Sequence, residues 1–190
     1  MNKVKNFNQF VNEQSESEYY TLYHGTDSEF FNKLDFDKAL KGERYNNPLG
    51  DGLYLTPYKE DAKKFFGKNV YVYYLPKSSN IKQVTKKNWE SDFNEIVIET
   101  IKRLGFNYDE LDQLRKNHIN SIYKWQPTQI VMLNRLSFLL AEIYKIDEYD
   151  VVDVIEDVMN DRNEPYDAIW YDYGEVLIPT SKFNSEYFTN

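Results

Sequence analysis

Cysteine is absent from the sequence, and histidine occurs only twice in 190 residues. Without cysteine the chain has no disulfide, no thiolate metal ligand and no cysteine nucleophile, and this composition fits a reducing compartment. His24 and His118 are far apart and have no cysteine to complete a ligand set, so we predict no metal site. The motif GxGxxG is also missing, which argues against a Rossmann nucleotide site.

Long apolar runs are missing as well. No stretch approaches the roughly 20 apolar residues that a membrane-spanning helix needs. No apolar segment follows Lys3 and Lys5, as a secretory signal would require. We therefore expect a cytoplasmic protein that does not enter a membrane. With 41% hydrophobic and 28% charged residues, the chain is long enough for one globular domain.

Charge is unevenly distributed along the chain. The net charge of −8 argues against a general nucleic-acid binder. Residues 59–87 nevertheless contain eight lysines against Glu60 and Asp61, so an anionic ligand would be favoured there. Residues 142–164 contain nine acids against two basic residues, a local charge of −7 that we interpret as a solvated face.

Residue patterning predicts strands towards both ends of the chain and helices between them. The run of Val and Tyr at 70–76 is the clearest strand, and a proline ends it. Thr56 as N-cap and Pro57 as the first helical residue predict a helix that stops at Gly67. Further strands are expected at 19–24, 167–172 and 175–178, and a helical block at about 88–160.

Three short motifs carry the chemistry. Tyr23–Thr26 reads Tyr-His-Gly-Thr and ends the first predicted strand, where a glycine lets a ligand approach the backbone closely. Gly50–Thr56 reads Gly-Asp-Gly-Leu-Tyr-Leu-Thr and supplies Tyr54, whose ring offers a flat face for a heterocycle. Tyr173–Val176 reads Tyr-Gly-Glu-Val and places Glu175 at the start of the last predicted strand.

In this order the motifs resemble the ADP-ribosyltransferase superfamily, in its His–Tyr–Glu branch of diphtheria-toxin and poly(ADP-ribose)-polymerase type. The stretches 27–31 and 166–169 also look like phage and bacterial members of that family. The resemblance covers residues 20–85 and 165–183. It implies an α+β fold, with a split, mostly antiparallel β-core and an inserted helical block, in a single domain at 19–190.

The resemblance also implies roles for individual residues, with NAD⁺ as co-substrate and no metal. His24 would hydrogen-bond a ribose hydroxyl, and the backbone of Gly25 would hold the nicotinamide carboxamide. Tyr54 would pack on the nicotinamide ring. Glu175 would bind the ribose 2′-hydroxyl and stabilise the positive charge that develops when the glycosidic bond breaks.

Other residues would complete the NAD⁺ site. Phe65 would close the second face of the nicotinamide, with Phe66 as the alternative, and Thr26 and Thr56 would support the site. Tyr173 is a departure from the arginine-modifying branch, which carries an acid or amide two residues before the glutamate. Arginine modification by that route is therefore in doubt, and Tyr173 could instead shape acceptor binding.

The implied activity is mono-ADP-ribosylation of an acceptor, with release of nicotinamide. A host protein is the expected acceptor, while nucleic acid or a small molecule stays open, as does the oligomeric state. Two alternatives remain: an NAD⁺ glycohydrolase, in which water replaces the acceptor, and an inactive phage-head or interaction protein that keeps the fold. The helical block would recognise the acceptor or merely buttress the sheet.

Residues 1–18 form a polar segment that we expect to be a flexible leader. Val4, Phe7, Phe10 and Val11 have spacing that allows a short amphipathic helix, and a frayed terminus is the alternative. The segment resembles the capsid-targeting leaders of T4-like phages, which are cut after an apolar-x-Glu signal, here residues 11–13. That resemblance implies packaging in a phage head and delivery to the host cytoplasm.

Overall fold

The computed structural model describes residues 17–27, 49–125 and 128–189, and these residues form both helices and sheets. The predicted α+β class is therefore confirmed. The described residues divide into two compact units. The sheet unit comprises 17–27, 51–85 and 163–189, and the helical unit comprises 49–50, 86–125 and 128–162.

The sheet unit contains two sheets. Its strands are β1 (Tyr19–Thr26), β2 (Gly52–Leu55), β3 (Asn69–Pro76), β4 (Ile81–Val84), β5 (Ala168–Tyr171), β6 (Val176–Pro179) and β7 (Phe188–Thr189). One sheet has the order β1-β3-β7 and the other β2-β6-β5-β4. Among these strands β4 and β5 are parallel, and the other paired strands are antiparallel.

Alternating apolar residues from both sheets form one core. In β1 these are Tyr20 and Leu22, which pair with Leu75 and Tyr73 of β3. The other sheet contributes Leu53, Leu55, Ala168, Trp170, Val176 and Ile178. Because side chains alternate across a strand, the residues between these positions face away from the core. This alternation decides which side chains are left to build a site.

Several sheet boundaries differ from the prediction. The first strand was expected to end at residue 24 but continues to Thr26. At its other end the backbone N–H of Lys77 donates to the Glu18 carbonyl at 3.0 Å, so pairing begins inside the segment expected to be a leader. Strands β2, β4 and β7 were not among the predicted strands. The leader residues 1–16, and with them the signal at 11–13, lie outside the described residues.

The helix predicted to begin at Thr56 and Pro57 starts later. The helix is one α-turn, Lys59–Asp61, followed by a π-helical turn, Ala62–Phe66. The hydroxyl of Thr56 accepts from the Tyr58 N–H at 3.3 Å, while the backbone of Thr56 bonds to Tyr23 of β1. Since Thr56 is used as a sheet residue, the helix can only begin after the turn that follows it.

The helical unit contains four long helices: α1 (Lys86–Arg103), α2 (Gln113–Trp125), α3 (Gln129–Tyr144) and α4 (Glu148–Asn163). Helix α3 begins where Thr128 accepts from the Val131 N–H at 3.4 Å. It ends at Lys145, which adopts the left-handed conformation with φ 59°. Apolar residues at helical spacing, such as Phe93 and Ile96 in α1 and Leu136 and Leu140 in α3, are buried.

Within the described ranges, no helix is long and apolar enough to cross a bilayer.

Arg162 near the end of α4 contacts Asp92 at 3.1 Å and Glu95 at 3.0 Å, both in α1. These contacts fix the register between the first and last helices of the unit.

Candidate active site

Among the described residues, one isolated backbone bridge joins the two sheets. The backbone N–H of Tyr23 in β1 donates to the Thr56 carbonyl at 2.8 Å, and the Thr56 N–H donates to the Tyr23 carbonyl at 2.9 Å. This isolated antiparallel bridge follows directly on β2. Beyond the bridge, in the direction of Thr26, no described residue of β2 pairs with β1. The backbone pairing between the two sheets therefore stops next to His24 and Gly25, which leaves a separation between their backbones there.

The backbone of Gly25 points towards this separation. In an antiparallel strand the hydrogen-bonding groups of successive residues point to opposite sides, so those of residues two apart point the same way. Tyr23 directs both its N–H and its C=O to Thr56, on the β2 side. Gly25 lies two residues after Tyr23, so its N–H and C=O also point to the β2 side. Its neighbour on the other side, Val70 of β3, is therefore a partner without direct backbone hydrogen bonds to Gly25. The N–H and C=O of Gly25 are suited to hold a carboxamide, which offers N–H donors and a carbonyl acceptor.

His24 is tied to β2 by its ring. The distance from its Nδ1 to the Tyr54 carbonyl oxygen is 2.8 Å. Because a carbonyl only accepts, Nδ1 carries the hydrogen, and this fixes the tautomer. Burial lowers the pKa of His24 below its ordinary value of 6.5, and the bond to the Tyr54 carbonyl raises it in part. The ring is therefore neutral at pH 7.

Glu175 is positioned by a three-residue hairpin loop between β5 and β6. The Tyr171 N–H donates to the Glu175 carbonyl at 2.8 Å, and the Gly174 N–H donates to the Tyr171 carbonyl at 3.0 Å. Gly174 has φ 94°, the left-handed region that such loops require at their last position. The bond to Tyr171 extends the β5–β6 pairing to Glu175, so its carboxylate lies on the same face as Tyr171 and Leu177.

Tyr54 lies on the same face of the sheet as Glu175. Leu53 and Leu55 point into the core, so Tyr54 points to the opposite face, where Leu177 is its partner on β6. Glu175 precedes Leu177 by two residues and therefore faces the same way as Tyr54. Thr56, one residue beyond the β2–β6 pairing and two residues after Tyr54, is buried at 5% exposure.

Tyr173 contacts the carboxyl group of Glu175, and Tyr171 packs against Tyr173. The Tyr173 hydroxyl donates to Glu175 Oε2 at 2.9 Å, and the rings of Tyr171 and Tyr173 stack with centroids 5.6 Å apart. Burial raises the pKa of Tyr173 far above 10.0, with further contributions from Glu175, Tyr171 and Tyr54, so Tyr173 is a neutral donor. Burial also raises the pKa of Glu175, and the bond from Tyr173 lowers it in part.

The π-helical turn lies against the end of β1. A Cβ added to Gly67 would meet the Thr26 carbonyl carbon at 2.1 Å and the Asp27 nitrogen at 2.4 Å, so only glycine fits. The Lys68 N–H donates to Asp27 Oδ1 at 3.3 Å. This contact brings the backbone of residues 62–66 beside Thr26.

Not every predicted site residue can be assigned. The side chains of Phe65 and Phe66 lie outside the described residues, so the choice between them stays a prediction. Lysines 59, 63, 64 and 68 are all exposed, as expected for most of them. His118, which we did not assign to the site, is exposed on α2 in the helical unit.

His24, Gly25, Tyr54, Thr56 and Glu175 thus occupy three neighbouring strand ends. Sequence reasoning missed the buried tyrosine Tyr171 and the direct bond from Tyr173 to Glu175. The sequence held part of that signal, because Tyr171 precedes a glycine-containing hairpin loop and Tyr173 lies within it. Within the described residues, no group of three or more His, Asp or Glu side chains is arranged to hold a metal ion.

Comparison of the chain with protein-family models, curated proteins and solved structures finds no match. A function must therefore be inferred from the groups that β1, β2 and β6 bring together. These are a neutral histidine, a glycine backbone that faces the separation of the sheets, a half-buried tyrosine and a carboxylate bonded to a second tyrosine.

Proposed function

We propose that the protein transfers ADP-ribose from NAD⁺ to an acceptor and releases nicotinamide, on an ADP-ribosyltransferase-like split β-core. The observation that supports this most strongly is the single Tyr23–Thr56 bridge. It lies between His24 and Gly25 of β1 on one side and, on the other, Tyr54 of β2 and Glu175, the residue before β6. All four predicted residues are thus within a few positions of one junction.

The groups at this junction suit the substrate. Backbone N–H and C=O groups of Gly25 match the acceptor and donor of a carboxamide, and the Tyr54 ring offers a stacking face. His24, held by Nδ1 to the Tyr54 carbonyl, keeps one ring orientation for binding a ribose hydroxyl. Such fixed positions reduce the entropy that must be lost in reaching the transition state.

Glu175 supplies the negative charge that the reaction needs. The bond between ribose C1′ and the nicotinamide nitrogen breaks, its electron pair leaves with nicotinamide, and positive charge builds on the ribose. A lone pair of the acceptor then forms the new bond to C1′, and the acceptor's proton passes to water. The half-buried carboxylate of Glu175, oriented by Tyr173, stabilises the positive charge more strongly than an exposed one would.

The test is nicotinamide release from labelled NAD⁺ with host lysate, comparing the wild type with Glu175→Gln. We expect the substitution to lower the rate by about 100-fold or more, because the charge is removed and the shape is kept. Its melting temperature should be unchanged or higher, since burial penalises the ionised carboxylate. Glu186→Gln, an exposed acid of the same unit, is the matched control and should retain full activity.

The fate of the label distinguishes transfer from hydrolysis. Label in macromolecules supports transfer, and mass spectrometry of the treated lysate then identifies the modified acceptor. Free ADP-ribose without modified macromolecules would indicate a glycohydrolase instead. If the wild type releases no nicotinamide with or without lysate, the proposal is wrong and a non-catalytic role is favoured.

A further inference from the structure

A groove of about 540 Å³ lies between α2 and α3 within the helical unit. Its volume is in the range of ligand-binding clefts. Its apolar lining comes from Ile122 of α2 and Val131, Phe138 and Leu139 of α3. Phe138 is 62% exposed although it is a large apolar side chain. Because Phe138 and the apolar lining of the groove are contiguous, they form one apolar surface of the kind that marks an interaction site.

Two opposite charges on α3 flank this aromatic residue. Arg135 and Glu142 both line the groove, and they are seven residues apart. Seven residues are nearly two helical turns, so both charges lie on one face, about 10.5 Å apart along the axis. Among the described residues neither forms an ion pair. Both charges are therefore available to a partner.

This arrangement is complementary to itself. The midpoint between Arg135 and Glu142 falls between Phe138 and Leu139. If a second α3 ran antiparallel across the first with its twofold axis at that midpoint, each Arg135 would face the Glu142 of the other copy. A twofold interface requires such self-complementarity, in which a contact between two positions occurs twice.

We propose that the groove is a docking surface for a second copy of this chain, in an antiparallel α3–α3 dimer. Phe138 of each copy enters the groove of the other and is withdrawn from water, which supplies the main attraction. The two Arg135–Glu142 pairs select the antiparallel orientation, because a parallel arrangement would bring like charges together. The proposal does not depend on NAD⁺ chemistry.

Charge reversal gives a direct test in the full-length protein. Sedimentation equilibrium from about 1 μM to about 100 μM should reveal a wild-type dimer. Arg135→Glu and Glu142→Arg should each weaken dimerisation by about tenfold or more, because two attractive pairs become two repulsive ones. An equimolar mixture of the two variants should dimerise again as a heterodimer, since each glutamate then faces an arginine.

A second pair of variants tests the aromatic contact. Phe138→Asp should abolish the dimer, whereas Leu114→Asp, which alters an α2 residue that is 65% exposed and outside the groove, should leave it intact. Both residues are exposed, so neither change is expected to unfold the unit. A wild type that stays monomeric at every concentration would overturn the proposal. So would a dimer that survives Phe138→Asp, or charge variants that fail to associate when mixed.

Discussion

The hydroxyl of Tyr173 orients the carboxyl group of Glu175 and affects its pKa. The prediction that follows for Tyr173 rests on the proposed function. Removing the hydroxyl by Tyr173→Phe removes the interaction that lowers the pKa of Glu175, so that pKa rises further. Because the ionised carboxylate is the active form, the acid limb of the rate–pH profile should move to higher pH. We expect roughly tenfold lower activity at neutral pH, from loss of a hydrogen bond to a charged group.

Tyr74→Phe is the control for this experiment, because it removes a hydroxyl from a tyrosine that is 38% exposed on β3. Its profile should match the wild type. A merely structural role for Tyr173 would lower the rate equally at all pH values. An unshifted acid limb in Tyr173→Phe, in a protein that Glu175→Gln inactivates, would refute the positioning role and leave the proposed reaction standing.

His24 makes stability depend on pH in a defined direction. Its pKa in the folded protein is below the ordinary value of 6.5, so folding releases a proton from the ring near that pH. The contribution is fully present above pH 6.5 and is lost as the pH falls towards the folded pKa. The free energy of unfolding of the wild type should therefore fall on acidification.

The substitution His24→Asn isolates that contribution, because its amide nitrogen can still donate to the Tyr54 carbonyl in the manner of Nδ1. Urea unfolding at about pH 7.5 and about pH 5.5 should show a smaller loss of stability in the variant than in the wild type. Equal losses in the two proteins would mean that His24 titrates alike in the folded and unfolded chains.

At the level of structural elements, Gly67 determines how closely the π-helical turn approaches β1. Gly67→Ala should destabilise the protein by about 3 kcal/mol or more, because its Cβ would overlap backbone atoms of Thr26 and Asp27. Gly105→Ala is the control: its φ of +83° is also unfavourable for alanine, but nothing lies within 4 Å of the added carbon. Its cost should be only about 1–2 kcal/mol.

Chemical denaturation of both variants checks this difference. A similar cost at the two positions would mean that the turn moves away from β1 without penalty. The nicotinamide assay adds a second measurement, since displacement of residues 62–66 from the end of β1 should lower activity in Gly67→Ala only.

Elements with strong local signals could be predicted from the sequence, and those set by distant pairing could not. The strand at 70–76 and the helical block have clear patterns, and the structure has strand β3 at Asn69–Pro76 and helices from Lys86 to Asn163. Thr56 carries a helix-start signal, yet its backbone bonds to Tyr23, and this pairing delays the helix. Strand β4 has a polar sequence, Ile-Lys-Gln-Val, and is recognisable only by its pairing with β5.

In the candidate site, too, some features could be predicted from local sequence and others depend on the pairing of distant strands. Its motif residues His24, Tyr54 and Glu175 could be proposed from their order along the chain. The bond from His24 to the Tyr54 carbonyl and the pairing of Tyr54 with Leu177 depend on strand register, which the sequence does not state. Burial, and with it the direction of each pKa shift, follows from that register.

At the scale of the whole molecule, the helical unit is the connection between two parallel strands. Ile81 of β4 pairs with Ala168 of β5, and Val84 pairs with Tyr171. The chain must therefore return from the end of β4 to the start of β5. Parallel strands need a crossover of about a dozen residues or more. Residues 86–162 supply that crossover, so the topology explains why the helices interrupt the sheet unit at this point.

Replacing residues 86–162 by Gly/Ser linkers of two lengths tests whether the helices act only as a connection. A linker of about 14 residues should allow β4 and β5 to pair and the sheet unit to fold, whereas about four residues should prevent it. Circular dichroism and amide NMR spectra would report folding, and the nicotinamide assay would report the site. If the long-linker protein does not fold although the full chain does, the helices supply stability to the sheet unit as well. If it folds and releases nicotinamide but labels no acceptor, the helices are required for acceptor recognition.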